Sequence, residues 1–533
     1  MHFASFDLGD PLFDGFGLRL SVQLVTLENL YGIDPERVRI ESGAGRIRIA
    51  ASGLRFAGGQ RRCDGSLELA IDASEPGLVR LRASARAPAR IRCAKLLLRD
   101  LDPALATSTD GATFAPVGDH GELFAYPMRL PTPLVWLRAG DAVLALRAED
   151  DRVREKRFAF ARERIGPLAG RGAAELIHEE SATRFAESIA TPEFVVDRRG
   201  DAARAEADHV AWIARAFGLV PFAERDDLPA WARELQLVAV LHGMHWSGRV
   251  LLDYAAMERA LRFVAARVDG RRVLAYLPGW EGRYYWQYGE YRPEPALGGE
   301  AGFASLCATA RELGVHVMPM FGANCANAWL PRFRDLDASA YLKSATGNRF
   351  HGNTPDWDLS RAHDTGWQAW LNPGHPGWRD ALAGQIESLA RRFGFDGVFL
   401  DTTEIWTNDP DHDVFEGHRA LATRLRDAIP HLLLAGEYDY DALDAVFPLF
   451  QRAWWTRAPA WSRRFVRRMA HLCEGEPEGR TGVHEFGVWK PGCVAAEDGL
   501  LATIAFQDDT LERSRDAVEK ALAELARRAL APA

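Results

Sequence analysis

The sequence has few cysteines and no long apolar run, and each absence excludes a class of protein. The six cysteines are scattered, with no two in CxxC spacing (Cys63, Cys93, Cys307, Cys325, Cys473 and Cys493). This argues against a cysteine zinc site and is typical of reduced thiols in the cytoplasm, where we expect the protein to reside. No apolar run approaches the roughly 20 residues that span a bilayer, so we expect no membrane association. The first residues lack the basic and apolar regions of a signal peptide.

The composition also lacks a strong excess of either charge. The net charge is −9, with 47% hydrophobic and 26% charged residues, which is an ordinary globular balance. No basic stripe with interleaved aromatics is present, so nucleic acid is not an expected partner. A chain of 533 residues exceeds the roughly 100–200 residues of one domain, and a barrel with one further domain fits this length.

The first part of the chain alternates apolar and charged residues with a period of two. Between about residues 37 and 197, apolar positions such as Val38 and Ile40 are separated by arginines, and glycine-rich turn clusters separate the runs. This pattern predicts half-buried antiparallel strands. We expect a β-sandwich domain over residues 1–215 that supports the rest of the chain or shapes substrate access, because it contains no catalytic motif.

Beyond residue 215, short apolar runs alternate with helical patterns, which predicts a parallel sheet. We expect eight strands, at residues 237–241, 273–277, 315–321, 397–400, 432–435, 446–450, 482–486 and 503–506. Helical patterns lie at residues 254–268, 303–313, 378–393, 414–428, 462–473 and 511–530. Eight strand–helix units predict a (β/α)8 TIM barrel over residues 216–533. The expected fold class is therefore α/β, a TIM barrel preceded by an antiparallel β-sandwich domain.

The fourth predicted strand carries the main catalytic candidate. A helical pattern closes at Gly394, an apolar run follows, and the strand ends on Asp401. Residues just past the carboxyl end of a barrel strand point into a shared active-site mouth. An aspartate after a strand is often a helix N-cap, but the next helical pattern starts only near Val414, which argues against that interpretation.

The fifth predicted strand supplies a second carboxyl, Glu437, at the same end of the barrel. Glycosidic bond cleavage needs two carboxyls, one to protonate the leaving oxygen and one to attack or to activate water. Because neighbouring strands lie about 4.8 Å apart, Asp401 and Glu437 can approach the roughly 5–5.5 Å separation of a retaining pair. Glu437 can alternatively be an ordinary carboxylate on the rim of the barrel.

The run Trp370–Trp378, a helix and then Gly394–Asp401 together resemble the approach to strand four in α-amylase-like and α-galactosidase-like glycoside hydrolase barrels. In those barrels the strand-four aspartate is the nucleophile, so the resemblance implies that role for Asp401. The acid/base of the α-amylase type is a glutamate ending strand five, matched by Glu437. In the α-galactosidase and α-glucosidase types it is an aspartate after strand six, where this sequence has Gln451–Arg452. The resemblance therefore implies the α-amylase arrangement of acids.

The same resemblance implies a retaining mechanism on an α-linked sugar, with no cofactor. It also matches His484 and Glu485, in the predicted strand seven, to the His–Asp pair that closes this strand in α-amylases. The sequence departs from the α-amylase pattern at Phe399, where those enzymes have an arginine two residues before the nucleophile. The resemblance covers the barrel, and the overall arrangement is most similar to uncharacterised glycoside hydrolase-like proteins with a β-sandwich before the barrel.

Candidate substrate-binding residues lie in the predicted loops. The loop Leu277–Tyr291 carries six aromatics, for which a sugar-stacking platform is favoured over packing. The residues expected to bind sugar are His245, Trp246, Trp280, Tyr285, Trp286, Asn324, Glu404, Trp406, His484 and Glu485. Glu281 and Arg283 are available for sugar hydroxyls. We expect no metal site, because His242 and His245 have no carboxylate partner in sequence.

These observations predict a retaining glycoside hydrolase that cleaves an α-linked glycoside by double displacement, with Asp401 as nucleophile and Glu437 as general acid and then base. Its expected partner is a carbohydrate substrate. Two alternatives stay open. One is a β-glycosidase that pairs Glu437 with Glu485, and the other is a carbohydrate-binding barrel that has lost catalysis.

Overall fold

A computed structural model describes residues 3–4, 11–245, 248–283, 285–333, 336–350, 368–452, 458–471, 493–496, 499–508 and 510–530. The chain divides into two compact units. The first comprises Met1–Leu219 with Asn408–Asp411, and the second comprises Val220–Thr407 with His412–Ala533. The division into separate domains between residues 215 and 216 stays a prediction.

In its described residues, the first unit is a large antiparallel sheet region of 19 strands, followed by one helix. The strands are β1 (Phe3–Ala4), β2 (Leu12–Gly15), β3 (Leu18–Thr26), β4 (Leu30–Ile33), β5 (Val38–Gly43), β6 (Arg46–Ala51), β7 (Leu54–Phe56), β8 (Arg61–Cys63), β9 (Ser66–Asp72), β10 (Leu78–Leu101), β11 (Leu105–Ser108), β12 (Ala115–Pro116), β13 (Glu122–Tyr126), β14 (Leu134–Ala139), β15 (Ala142–Glu149), β16 (Lys156–Arg162), β17 (Gly172–Glu179), β18 (Ala186–Ala190) and β19 (Glu193–Asp197). The helix is α1 (Ala202–Phe217). The antiparallel strands predicted from the period of two are confirmed.

The longest strand, β10, organises this sheet region. Its 24 residues pair with β3, β9, β17, β18 and β19. Along its centre, buried Leu81, Ala83 and Ala85 alternate with exposed Arg82 and Arg86. This is the alternation that a strand with one buried face requires.

The second unit contains the remaining strands and helices. The strands are β20 (Leu237–Leu241), β21 (Val273–Leu277), β22 (His316–Gly322), β23 (Cys325–Asn327), β24 (Gln368–Trp370), β25 (Gly397–Asp401), β26 (Leu433–Gly436), β27 (Leu449–Gln451), β28 (Arg467–Met469), β29 (Cys493–Val494) and β30 (Leu500–Phe506). The helices are α2 (Tyr254–Ala265), α3 (Gly299–Leu313), α4 (Pro376–Phe393), α5 (Val414–Ala428), α6 (Thr510–Arg513) and α7 (Arg515–Leu530). Among these helices and α1, none combines the length and apolar content that a membrane span needs.

Eight of these strands form a closed parallel barrel, which confirms the predicted TIM barrel. They follow the order β20, β21, β22, β25, β26, β27, β28 and β30, and β30 pairs with β20 to close the ring. Every residue of β20, β21 and β25 is buried, as expected for strands covered on both faces. The carboxyl ends of all eight strands therefore meet at one mouth.

The segment leading to β25 shows how local sequence sets the fold. The ring nitrogen Nδ1 of His375 accepts a hydrogen bond from the backbone N–H of Trp378 (3.2 Å) and so caps α4, which starts at Pro376. The helix ends at Gly394, whose φ of 68° is the left-handed conformation that closes many helices. The chain then enters β25 and ends that strand on Asp401.

The predicted position of strand seven is wrong. The seventh barrel strand is β28, which lies inside the stretch 462–473 that was predicted to be helical, while residues 482–486 lie outside the described residues. Two arginines interrupt the apolar pattern by which a buried strand is recognised. Arg468 is nevertheless buried in the barrel, because it forms an ion pair with Asp439. This long-range pairing cannot be inferred from the local pattern.

Candidate active site

Asp401 lies at the mouth of the barrel with a buried carboxylate. Its side chain is 5% exposed, and the hydroxyl of Tyr288 donates a hydrogen bond to its Oδ2 (2.7 Å). Burial, followed by the nearby Asp401 charge, raises the pKa of Tyr288 well above its usual value, so the hydroxyl keeps its proton and remains a donor. A hydrogen bond to one carboxylate oxygen fixes the orientation of the group and stabilises its charged form.

Tyr288 reaches Asp401 because the neighbouring strand ends in a glycine. The phenol ring lies over Gly322, the last residue of β22, where a Cβ atom would overlap with the ring. Sequence reasoning did not select Tyr288, although it is one of the six aromatics in the predicted platform loop. Nothing in the local sequence distinguishes it from its neighbours, and only the packing against Gly322 reveals its role.

Glu437 follows β26 and is held beside Asp401 by a strained turn. The backbone N–H of Thr402 donates to Oε2 of Glu437 (2.9 Å), and the backbone N–H of Glu437 donates to Oγ1 of Thr403 (3.0 Å). Thr402 has a φ of 65°, a left-handed conformation that is rare for a β-branched residue. Such strain is often found at functional sites. Here it points the Thr402 N–H at the Glu437 carboxyl.

The Glu437 carboxyl lies beside that of Asp401, because Leu400 pairs with Gly436 at the ends of the adjacent strands β25 and β26. Burial, followed by the negative charges of Asp401 and Glu404, raises the pKa of Glu437 well above its usual value. Two carboxyls in hydrogen-bonding contact cannot both ionise easily, so they titrate as a pair. The raised pKa favours the protonated form of Glu437, beside the carboxyl group of Asp401 that Tyr288 orients.

Further polar groups at this mouth are buried without a partner among the described residues. Neither carboxyl oxygen of Glu281 has a hydrogen-bond partner there, and the side chain is 1% exposed. Burial, followed by the charges of Asp401 and Glu294, raises the pKa of Glu281 well above its usual value, which favours its protonated form. The amide of Gln507, directly after β30, also lacks a partner in the described part of the chain. Sequence reasoning missed Gln507, which has no motif around it.

The predicted polar residues after the first and third strands are also buried. The Nδ2 of Asn324 donates to the carbonyl of Ile405 (2.9 Å), while its Oδ1 has no partner among the residues described. His245 lies beside His242, with ring centroids 6.3 Å apart, and burial followed by His245 lowers the pKa of His242 well below its usual value. In the described residues no group of three or more His, Cys, Asp or Glu side chains could hold a metal ion. Sugar binding by Asn324 and His245 stays a prediction.

The prediction that Trp280 stacks on a sugar is wrong. Its indole is fully buried, stacks on Phe303 of α3 with ring centroids 4.9 Å apart, and donates from Nε1 to the carbonyl of Met320 (2.9 Å). The cause is the preceding Gly279, whose φ of 67° turns the chain back against the Met244 backbone. Trp280 is therefore part of the core under the loop.

Trp280→Ala is expected to lower the free energy of unfolding of the barrel by about 3–5 kcal/mol, because it removes a fully buried indole. Trp286→Ala is the matched control, since this neighbouring tryptophan is partly exposed. Urea denaturation followed by circular dichroism measures both changes. Wild-type stability in Trp280→Ala would contradict the core assignment.

The other predicted aromatic and acidic residues lie at different depths. Tyr285 and Trp286 are partly exposed, and the Arg283 guanidinium lies 4.9 Å from the Trp286 ring centroid. Glu404 is partly exposed and close enough to Glu437 to raise its pKa, whereas Trp406 is only 6% exposed. Their roles in sugar binding stay predictions.

Three predicted residues, Trp246, His484 and Glu485, lie outside the described residues. Because strand seven of the barrel is β28, the proposed match of His484 and Glu485 to the end of that strand is lost. The residue that follows β28 at the mouth is His471, which is 4% exposed and whose ring lies parallel to that of Tyr438, 6.1 Å away.

Comparison with known proteins identifies this fold in glycoside hydrolases. No family model and no curated protein sequence matches the chain. The structure is similar to a ligand-free α-N-acetylgalactosaminidase from Bifidobacterium bifidum, with a TM-score of 0.65 and 15% identity over 99% of this chain and 93% of that chain. The complex of that enzyme with GalNAc matches with a TM-score of 0.62 and 15% identity, over 88% of this chain and 84% of the other.

A second enzyme with this fold is a GH36 α-galactosidase from Geobacillus stearothermophilus in complex with raffinose. It has a TM-score of 0.52 and 12% identity, over 96% of this chain and 77% of that chain. The sequence resemblance to α-galactosidase-like barrels is thus confirmed for the fold. The chain has the fold of these α-glycosidases, a closed (β/α)8 barrel with a large antiparallel sheet region before it.

Proposed function

We propose that this protein is a retaining glycoside hydrolase that cleaves an α-linked glycoside by double displacement. The observation that carries this proposal is the pair of carboxyls, Asp401 and Glu437, at the tips of the adjacent strands β25 and β26, where the Thr402 N–H also holds Oε2 of Glu437. A retaining glycosidase needs one protonated and one ionised carboxyl, and the raised pKa of Glu437 beside Asp401 supports this division of roles.

The proposed first step uses Asp401 as nucleophile and Glu437 as acid. A bound sugar parts the two carboxyls to the roughly 5–5.5 Å of a retaining pair. Tyr288 orients the Asp401 carboxylate through Oδ2, and this carboxylate attacks the anomeric carbon. Glu437 donates its proton to the glycosidic oxygen as the bond to the leaving group breaks, and a covalent glycosyl ester forms on Asp401.

The second step follows from the electrostatics of the pair. The negative charge of Asp401 is one cause of the raised pKa of Glu437. Esterification removes that charge, so the pKa of Glu437 falls and its carboxylate becomes a general base. It takes a proton from water, whose oxygen attacks the anomeric carbon and releases Asp401. In its protonated form, which the raised pKa favours, Glu281 can donate a hydrogen bond to a sugar hydroxyl in both steps.

The arrangement combines features of two barrel types. The fold is that of α-galactosidases and an α-N-acetylgalactosaminidase, yet β27 ends on a buried Gln451 and the next six residues contain no carboxyl. An acid after strand six is therefore absent from the sequence, and Glu437 after strand five is the proposed acid/base. The comparison favours an α-linked substrate over the alternative that pairs Glu437 with Glu485.

The test is turnover of a panel of aryl α- and β-glycosides and glycosyl fluorides, with galactosyl, N-acetylgalactosaminyl and glucosyl groups. We expect hydrolysis of one α-substrate with the α-anomer formed first, as followed by proton NMR. Hydrolysis of β-substrates alone, or release of the β-anomer from an α-substrate, would contradict the proposal. Glycan binding without turnover would indicate a carbohydrate-binding barrel that has lost catalysis.

We also propose that the protein acts in the cytoplasm. The four cysteines in the described residues, Cys63, Cys93, Cys307 and Cys325, are all free thiols. Reduced thiols are the rule for proteins of that compartment.

A further inference from the structure

Four aromatic side chains lead from the catalytic candidate to the protein surface. This aromatic ribbon consists of Tyr288, Tyr285, Trp286 and Trp329. Tyr288 is fully buried against Asp401, and the ring of Tyr285 lies 5.3 Å from it between centroids. Trp286 and Trp329 meet edge to face with centroids 5.7 Å apart, and Trp329 is 54% exposed. The ribbon thus runs from a buried carboxylate to an open indole.

One asparagine holds the outer part of the ribbon in place. The Nδ2 of Asn327 donates to the carbonyl of Trp286 (2.8 Å), and its Oδ1 accepts from the backbone N–H of Trp329 (2.9 Å). The backbone N–H of Asn327 also donates to the carbonyl of Tyr288 (2.9 Å). Three hydrogen bonds from one residue therefore fix the two tryptophans relative to each other and to Tyr288. A platform held in this way loses little conformational entropy when a ligand binds.

The exposure of Trp329 favours binding over packing. It is the only tryptophan among the described residues whose side chain is exposed. A single exposed apolar residue needs no explanation by itself. Trp329, however, is held by Asn327, and it packs on Trp286, the chain neighbour of the Tyr285 that packs on Tyr288 beside Asp401. Indole rings offer the apolar face on which a sugar ring stacks.

We propose that Trp329 and Trp286 form a subsite for the sugar on the leaving-group side of the cleaved bond, so that the substrate class is an oligosaccharide. This inference rests on the proposed function. The buried polar groups of Glu281 and Gln507 mark the enclosed end of the site, which suits the sugar that is transferred to Asp401. The exposed indole of Trp329 lies at the open end, where the rest of the glycan extends toward solvent.

The test compares substrates with and without a leaving sugar. The probes are α-galactosyl fluoride with raffinose, and α-glucosyl fluoride with maltotriose. In Trp329→Ala, we expect the ratio of kcat/KM for the trisaccharide to kcat/KM for the fluoride to fall about tenfold. The trisaccharide loses its stacking contact with the indole, whereas the fluoride has no leaving sugar to make that contact. Trp329→Tyr, which keeps an aromatic face, is expected to retain most of the ratio. Trp461→Ala is the control, because this partly exposed tryptophan precedes β28 at the opposite end of the barrel.

The results of this test distinguish failure of the proposed subsite from failure of the proposed catalytic function. If the wild type hydrolyses a fluoride but Trp329→Ala leaves the ratio unchanged, the subsite is overturned and the proposed function stands. If the wild type hydrolyses neither fluoride, the proposed function fails for these sugars, and calorimetric titration with raffinose and maltotriose decides the subsite. Binding that weakens about tenfold in Trp329→Ala supports it, whereas equal binding or none overturns it.

Discussion

Asp401→Asn is expected to lower kcat by about 10⁴-fold or more, because removal of a covalent nucleophile leaves only binding and positioning to accelerate the reaction. The melting temperature should stay close to that of the wild type. The amide oxygen of Asn keeps an acceptor for the Tyr288 hydroxyl, and the substitution removes a buried charge. Steady-state kinetics on the α-glycoside identified by the panel, together with thermal denaturation, measures both effects.

Asp396→Asn is the matched control for this prediction. Asp396 precedes β25 at the opposite end of the same strand, where its Oδ2 accepts a hydrogen bond from the backbone N–H of Val317 (3.1 Å). The control should keep wild-type kcat. Addition of azide to Asp401→Ala should release a β-glycosyl azide, because the small anion enters from the face that the nucleophile occupies. Loss of folding in Asp401→Asn, or equal loss of activity in both variants, would show that Asp401 is structural.

Glu437→Gln is expected to lower kcat/KM by about 10²–10⁴-fold for substrates with poor leaving groups, such as an unactivated disaccharide. Glycosyl fluorides and dinitrophenyl glycosides should lose much less, because their leaving groups need little protonation. In Glu437→Ala, azide should restore turnover and give an α-glycosyl azide, since the anion replaces water in the second step. Equal loss on good and poor leaving groups would exclude an acid role for Glu437.

The same substitution has an expected effect on stability with a definite pH dependence. The pKa of Glu437 is raised in the folded protein, so folding takes up a proton between the pKa of the unfolded chain and that of the folded one. The wild type therefore loses stability as the pH rises through this window, whereas the glutamine side chain of the variant does not titrate. Glu437→Gln should thus match or exceed the wild-type melting temperature at neutral pH, and the difference should shrink below the unfolded pKa. A stability difference that grew toward acid pH would contradict the assigned protonation state.

Local sequence patterns predict some residues of the candidate site and not others. The placement of Asp401 beside Glu437 could be predicted because Asp401 ends one short buried strand, Glu437 follows the next, and consecutive strands of a parallel barrel lie side by side. Tyr288 could not be selected, because its contact with Asp401 depends on the space above Gly322, which lies 34 positions along the chain from it. Sugar stacking by Trp280 is a wrong prediction, because the local sequence does not show that Gly279 turns this loop tryptophan back into the core.

Both architectures could be predicted from local patterns in the sequence, and the catalytic roles of the two carboxyls stay predictions. The first part of the sequence alternates with a period of two, and the structure there is an antiparallel sheet region. The second part alternates predicted strands and helices, and the structure there is a closed barrel. The position of strand seven, the burial of each aromatic side chain and the raised pKa of Glu437 follow from tertiary contacts. These depend on which distant groups come together: Arg468 with Asp439, Trp280 with Phe303, and Glu437 with Asp401. Burial and electrostatic interactions depend on distances in three dimensions. The local sequence pattern does not indicate which distant residues will come into contact.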